Sequence, residues 1–323
     1  MEMHLPLVLF SYFLALASGI FFAQGVLTVK GISSRLTQYL SLIVTLVSIG
    51  VGGIAVFFHL QHWTRIFNGF GHLSSPITME IIGIVIFVIV LAVYFLVFFR
   101  TEEGIAPKWT GVMAMLMGVV MMYFVGESYV LASTPVWSSK LGVLSLILSV
   151  PAVAGPAMLI LVYIAERDIK SITLFGREIE LGGITKEQAQ SGYSFGKKLS
   201  IIGLGVFALS IIVYAIQIST MGETEFAQLG YYFDPTLPDI AMVDTNDLVN
   251  VFTGDLALLF WIGVVGFGIV VPLLLHIPLF KVKDSKKILL VAVLILVFVT
   301  VLIICFKIMF YLLGVHVFTV FTY

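Results

Sequence analysis

Long apolar runs separated by short polar breaks occupy most of the chain. Eight runs approach or exceed the roughly 20 residues a helix needs to cross a hydrocarbon core: 5–27, 36–59, 79–99, 109–132, 141–165, 199–219, 254–280 and 288–312. None shows the strict polar–apolar alternation of a barrel strand, and unpaired backbone groups cannot stand in lipid, so each run must be a helix. The pattern predicts an all-α integral membrane protein with eight transmembrane helices in one domain, 1–323. Gly50, Gly52 and Gly53 predict close helix approach. Gly155-Pro156 predicts a bend in the fifth helix.

Composition agrees. Apolar residues make up 60%, charged residues 11%, and mean hydropathy is +1.13, whereas soluble domains carry about 25% charged residues. The first run lacks a basic leader and has no Asp, Glu, Lys or Arg from Met3 to Val29. It therefore reads as a retained helix, not a signal peptide. The single cysteine, Cys305, rules out an internal disulfide or a thiolate cluster, so iron–sulfur centres must lie in other subunits. A net charge of −1 points to no nucleic-acid partner.

Basic residues set the expected orientation. Fourteen of the 17 Lys and Arg fall in alternate connections, beginning with Lys30 and Arg35 and ending with Lys281–Lys287. Both termini are therefore expected outside. The connection 166–198 is expected in the cytoplasm and contains a strand-like patch, SITLFGREIEL. The connection 220–253 is expected outside; it is acidic and carries no Lys or Arg.

Ionisable groups within spans mark function by default, and here they share one side. His59 ends the second helix, Arg65 and Asn68 lie in the following hairpin, and Thr78 and Glu80 open the third helix. Glu127 is expected about five residues from the outer end of helix four, roughly 7–8 Å deep. Asp255 opens helix seven and Lys307 lies near the outer end of helix eight. Imidazole titrates near neutrality, and a carboxyl at a lipid boundary can exchange protons. His59 with Glu80 therefore suits proton removal from an amphipathic hydroquinone whose tail lies in hydrocarbon. The histidines at or near spans are His59, His276 and His316, on mixed sides and not at mid-depth, so no haem is expected. Trp63, Trp109 and Trp137 fit an interfacial aromatic belt.

The hairpin resembles the DmsC family, the membrane anchor subunits of dimethyl sulfoxide reductase-type molybdoenzymes. The residues concerned are His59-Leu60, Arg65, Asn68 and Thr78-Met79-Glu80-Ile81. Weaker echoes are HLPLVLF from His4 to Phe10, Tyr129 with Pro135-Val136-Trp137, and Phe310-Tyr311. Gln61 and Trp63 stand where the family usually has Gly and Pro, and Thr78 stands where it has Ser. The resemblance implies an anchor in the prokaryotic cytoplasmic membrane that oxidises menaquinol during anaerobic respiration. It would pass electrons to an iron–sulfur subunit and a molybdopterin catalytic subunit; the polar cluster and the charge-derived topology place their docking face outside. The resemblance also implies His59 and Glu80 as the quinol-oxidising pair; Arg65, Asn68, Thr78 and Tyr129 from the matching motifs, and Glu127, Asp255 and Lys307 from helix topology, are expected in support.

Three other readings stay open, one of them a purely structural anchor, which would leave Glu80 and Glu127 without a reason unless they only pair with Lys307 and Arg65. A polysulfide reductase-type anchor would share the membrane chemistry with a different terminal substrate. A secondary transporter or proton channel would place its site near the midplane between broken helices, which fits poorly with charges gathered at one interface.

Overall fold

The computed structural model describes residues 5–58, 75–101, 104–130, 136–167, 171–174, 177–229 and 250–314, with backbone alone at 76–77, 172–174, 177–180 and 221–229. Eight helices within it are long and apolar enough to cross a membrane, as the hydropathy pattern predicts. They are α1 (Leu5–Lys30), α2 (Arg35–Phe57), α3 (Pro76–Arg100), α4 (Lys108–Glu127), α5 (Lys140–Glu166), α6 (Lys186–Leu229), α7 (Leu259–Lys281) and α8 (Ser285–Leu312). The first half of α7, Leu259–Val270, is wound in wide π turns. The strand-like patch forms a small antiparallel hairpin between α5 and α6. In it β1 (Ser171–Leu174) pairs with β2 (Arg177–Glu180).

α6 begins well before the apolar run at 199, so the connection expected over 166–198 is helical from Lys186 onward. The cause is local. The Thr185 N–H donates to Gln188 Oε1 at 2.9 Å, and the Gln188 N–H donates to Thr185 Oγ1 at 3.2 Å. Such reciprocal capping starts a helix whether or not its first turns are apolar. At its other end α6 runs to Leu229, into the stretch expected as the acidic connection. α4 stops earlier than expected, at Glu127, so this carboxylate lies at the helix end and not five residues inside it.

Side-chain size decides where helices touch. A Cβ on Gly155 would stand 2.2 Å from Ser200 Cα, and one on Gly203 would stand 2.3 Å from the Pro151 carbonyl oxygen. The backbones of α5 and α6 therefore meet at these glycines, as small residues allow. Gly25 and Gly111 bring α1 and α4 together in the same way. In α2, by contrast, Gly50 and Gly53 face open space and only Gly52 approaches a neighbour, the Phe10 carbonyl. Large apolar side chains on the outer faces, among them Ile43, Leu46, Ile54, Ile89 and Leu290, are exposed as a lipid-facing surface requires.

The two ends of the bundle differ. One gathers the α1–α2, α3–α4, α5–α6 and α7–α8 connections. Gln188 there donates to the Gly31 carbonyl at 2.9 Å, and Gln38 Oε1 accepts from the Ala106 N–H at 2.9 Å. Beneath it lies a buried polar network in which Thr28 and Tyr94 share a 2.7 Å hydrogen bond, with Gln24, Ser33 and Gln38 around them. This end carries Lys30, Arg35, Arg100, Lys108, Lys186 and Lys281. His276 is buried in α7, with Nε2 on the Ser200 hydroxyl at 2.9 Å and Nδ1 on the Pro272 carbonyl at 2.6 Å. The opposite end is formed by the starts of α1, α3 and α5 and the ends of α2, α4 and α8.

Candidate functional site

Ser75 followed by Pro76 starts α3, as proline at the first helical position commonly does. Glu80 then falls in the second turn, at the end opposite the basic one. Its side chain is half-buried, and Oε1 is sealed from solvent without a hydrogen-bond partner. Gly83, one turn deeper, has no side chain to obstruct Phe124 of α4; a Cβ there would stand 2.8 Å from that ring. The close fit brings the end of α4 over Glu80. Ser128, whose hydroxyl donates to the Val125 carbonyl at 2.9 Å, lies nearby, and Lys307 is the basic group acting on the carboxyl.

Lys307 reaches this place because α8 turns Phe306, Lys307, Phe310 and Tyr311 into the bundle together, all buried. The lysine is 1% exposed and its Nζ has no hydrogen-bond partner. Its nearest aromatic neighbours are Phe310 and Tyr311, with ring centroids 5.8 and 6.0 Å from Nζ, a separation at which a ring face still attracts a cation. An acidic and a basic side chain thus stand at the same end of the core, and each keeps a polar atom unmatched by protein.

An aromatic box closes this end. Tyr129, Trp137, Phe310 and Tyr311 form a mutually touching set, with Tyr129 edge-on to the other three at 5.4–5.7 Å. Trp137 stacks on Phe310 at 5.8 Å and donates its indole N–H to the Phe310 carbonyl at 2.7 Å. Gly314 makes room, since a Cβ there would sit 2.0 Å from the indole. Tyr311 donates to the Tyr129 hydroxyl at 2.7 Å and lies beside the Leu7 carbonyl and the Ser11 hydroxyl of α1. Trp137 is therefore half-buried against α8 and is not a belt residue facing lipid, whereas Trp109 is 50% exposed, as a belt residue would be.

Of the residues singled out from sequence, Glu80, Tyr129 and Lys307 come together here. Thr78 is fully buried two residues before Glu80. Glu127 does not join them: it forms an ion pair with Lys140 at 3.0 Å, with the lysine 71% exposed. Asp255 stands exposed in the turn ahead of α7. His59, Arg65 and Asn68 lie outside the described residues, as do His62, His72 and His316. Sequence reasoning missed Ser11 and Ser128, which carry no signal of their own. It noticed Tyr311 only through the family echoes, and Trp137 through those echoes and as a belt residue; the structure shows that the distant echoes share one cluster. Among the described residues, no group of His, Cys, Asp and Glu has the geometry to hold a metal ion.

Eight apolar helices with ionisable groups converging at one end define a multi-pass membrane protein with a polar, aromatic-walled end site. A comparison with curated proteins returned no match. The model of one family, DMSO reductase anchor subunit (DmsC), matches residues 1–313 of the 323, and the chain belongs to that family. It is a membrane anchor subunit of the dimethyl sulfoxide reductase type.

Proposed function

We propose that this anchor oxidises menaquinol at the Glu80 end of the bundle and delivers the electrons to an iron–sulfur subunit docked there. A molybdopterin subunit beyond it would carry out the terminal reduction. One observation carries the reading. A half-buried carboxyl group and a buried lysine share one end of the core, yet Glu80 Oε1, sealed from solvent, and Lys307 Nζ each lack a protein hydrogen bond. Charges taken out of water cost several kcal/mol each unless other groups satisfy them, so an arrangement that leaves both atoms free suits a polar guest.

A hydroquinone fits as that guest. One hydroxyl donates to Glu80, and the other donates to His59 from the hairpin that precedes α3. Lys307 balances the charge, and the rings of Tyr129, Phe310 and Tyr311 provide flat apolar walls. Oxidation removes two electrons and two protons: the protons pass to the carboxylate and the imidazole, and the electrons pass to the partner's clusters. Electrons travel only short distances between centres, so the iron–sulfur subunit docks at this end. The basic end then faces the cytoplasm of a prokaryote, and both termini face outward, in keeping with the distribution of lysine and arginine.

The test is Glu80→Gln in the purified complex, read as quinol-driven reduction of the partner's clusters. An amide keeps the shape but cannot take the proton, so the rate should fall by about 100-fold or more with subunit composition unchanged. A normal rate would defeat the reading.

A further inference from the structure

The basic end contains a second feature, unconnected to the quinol reading. A cleft of about 700 Å³ opens between the start of α6 and the α7–α8 connection, and its lining includes Lys186, Lys197, Lys198 and Lys283. Two acids, Glu166 and Asp284, also line it, but both have local partners. Glu166 accepts the Tyr193 hydroxyl at 2.6 Å, and Asp284 accepts the Lys286 N–H as the cap of α8. Lys197 is fixed by donating to the Val282 carbonyl at 2.7 Å. The other three lysines are exposed around the cleft. The lining therefore keeps an excess of positive charge around a space of ligand size, four lysines against two acids.

The wall of the cleft changes character with depth. Phe280 and Ile288 line it alongside the lysines. About one turn further from the basic end, Ile202 of α6 and Ile277 of α7 are 61% and 55% exposed on the lipid-facing surface. A free anion would use only the charged rim. A molecule with a phosphate head and hydrocarbon tails would use both.

We infer that this cleft binds the phosphate headgroup of an anionic phospholipid, with its acyl chains lying over the exposed apolar faces of α6 and α7. Basic residues near a membrane surface attract anionic lipid, each by a factor of roughly 5 in affinity.

The experiment uses the full chain purified in detergent and counts retained lipid by native mass spectrometry after incubation with phosphatidylglycerol, phosphatidylcholine or inorganic phosphate. The inference expects phosphatidylglycerol to be retained over phosphatidylcholine and to resist millimolar phosphate. In Lys186→Gln/Lys198→Gln/Lys283→Gln, affinity should drop on the order of 100-fold. Lys286→Gln/Lys287→Gln, at the same end but outside the cleft lining, should behave as the unmodified chain. Should the triple variant not fold, Lys198→Gln alone reads the same way, with a loss of about 5-fold. Equal retention of the two lipids, displacement by free phosphate, or an equal loss in the Lys286/Lys287 variant would each overturn the inference.

Discussion

Tyr311 and Tyr129 meet hydroxyl to hydroxyl at 2.7 Å across a separation of 182 residues, tying the end of α8 to the end of α4. Both phenols are buried, and a buried hydroxyl without a partner costs more than the bond itself contributes. The contact holds the aromatic box together over Glu80 and Lys307. Tyr311→Phe should lower stability by about 1–3 kcal/mol, because the Tyr129 hydroxyl loses its partner, and Tyr129→Phe should cost less, because Tyr311 keeps the Leu7 carbonyl and the Ser11 hydroxyl. The double replacement should cost less than the sum of the two singles. Thermal unfolding of the four proteins in one detergent measures this; strict additivity would mean that the two hydroxyls act independently.

Glu80 and Lys307 form a second coupled pair. Lys307→Met removes the opposite charge acting on Glu80, and should lower stability because the carboxyl group then has no compensating cation. Combining it with Glu80→Gln should restore part of that stability, since neither charge then remains buried. The cycle is read by unfolding in detergent. A double variant as unstable as the two losses combined would show that the groups do not interact.

Glu127 should differ from Glu80 although both are acidic and near the same end. Its carboxylate pairs with an exposed lysine, and such surface pairs contribute roughly 0–1 kcal/mol. Glu127→Gln is expected to leave stability and quinol-driven cluster reduction within about twofold of the unmodified complex. A large loss of turnover would place Glu127 in the chemistry after all.

Glycines that look alike in sequence should respond in opposite ways. Gly155→Ala would drive a methyl group into the Ser200 backbone, and overpacking of this kind costs about 1–3 kcal/mol or more. Gly50→Ala meets nothing within 4 Å and should be neutral, or stabilise α2 by up to about 1 kcal/mol through helix propensity. Melting temperatures of the two variants decide the matter; similar shifts would argue against the tight α5–α6 contact.

The hydropathy pattern alone was sufficient for eight helices and their approximate bounds, because a span must be apolar along its whole length. It also revealed the β1–β2 patch, and with the hairpin motif it pointed to the family that the comparison found. Hydropathy could not place the ends of α4 and α6. There, caps such as Thr185 with Gln188 override composition, and Glu127 turns out to close its helix.

Nor could periodicity separate Gly155 from Gly50, since only a packed neighbour gives a missing side chain its meaning. The end site depended most on tertiary structure. Tyr129, Trp137, Lys307 and Tyr311 are scattered along the sequence, and it is the meeting of the ends of α4 and α8 with the start of α5 that sets them beside Glu80. Composition dictated that the chain enters a membrane; the order in which its helices pack decided which polar groups meet there, because in lipid it is neighbouring helices, not water, that must satisfy them.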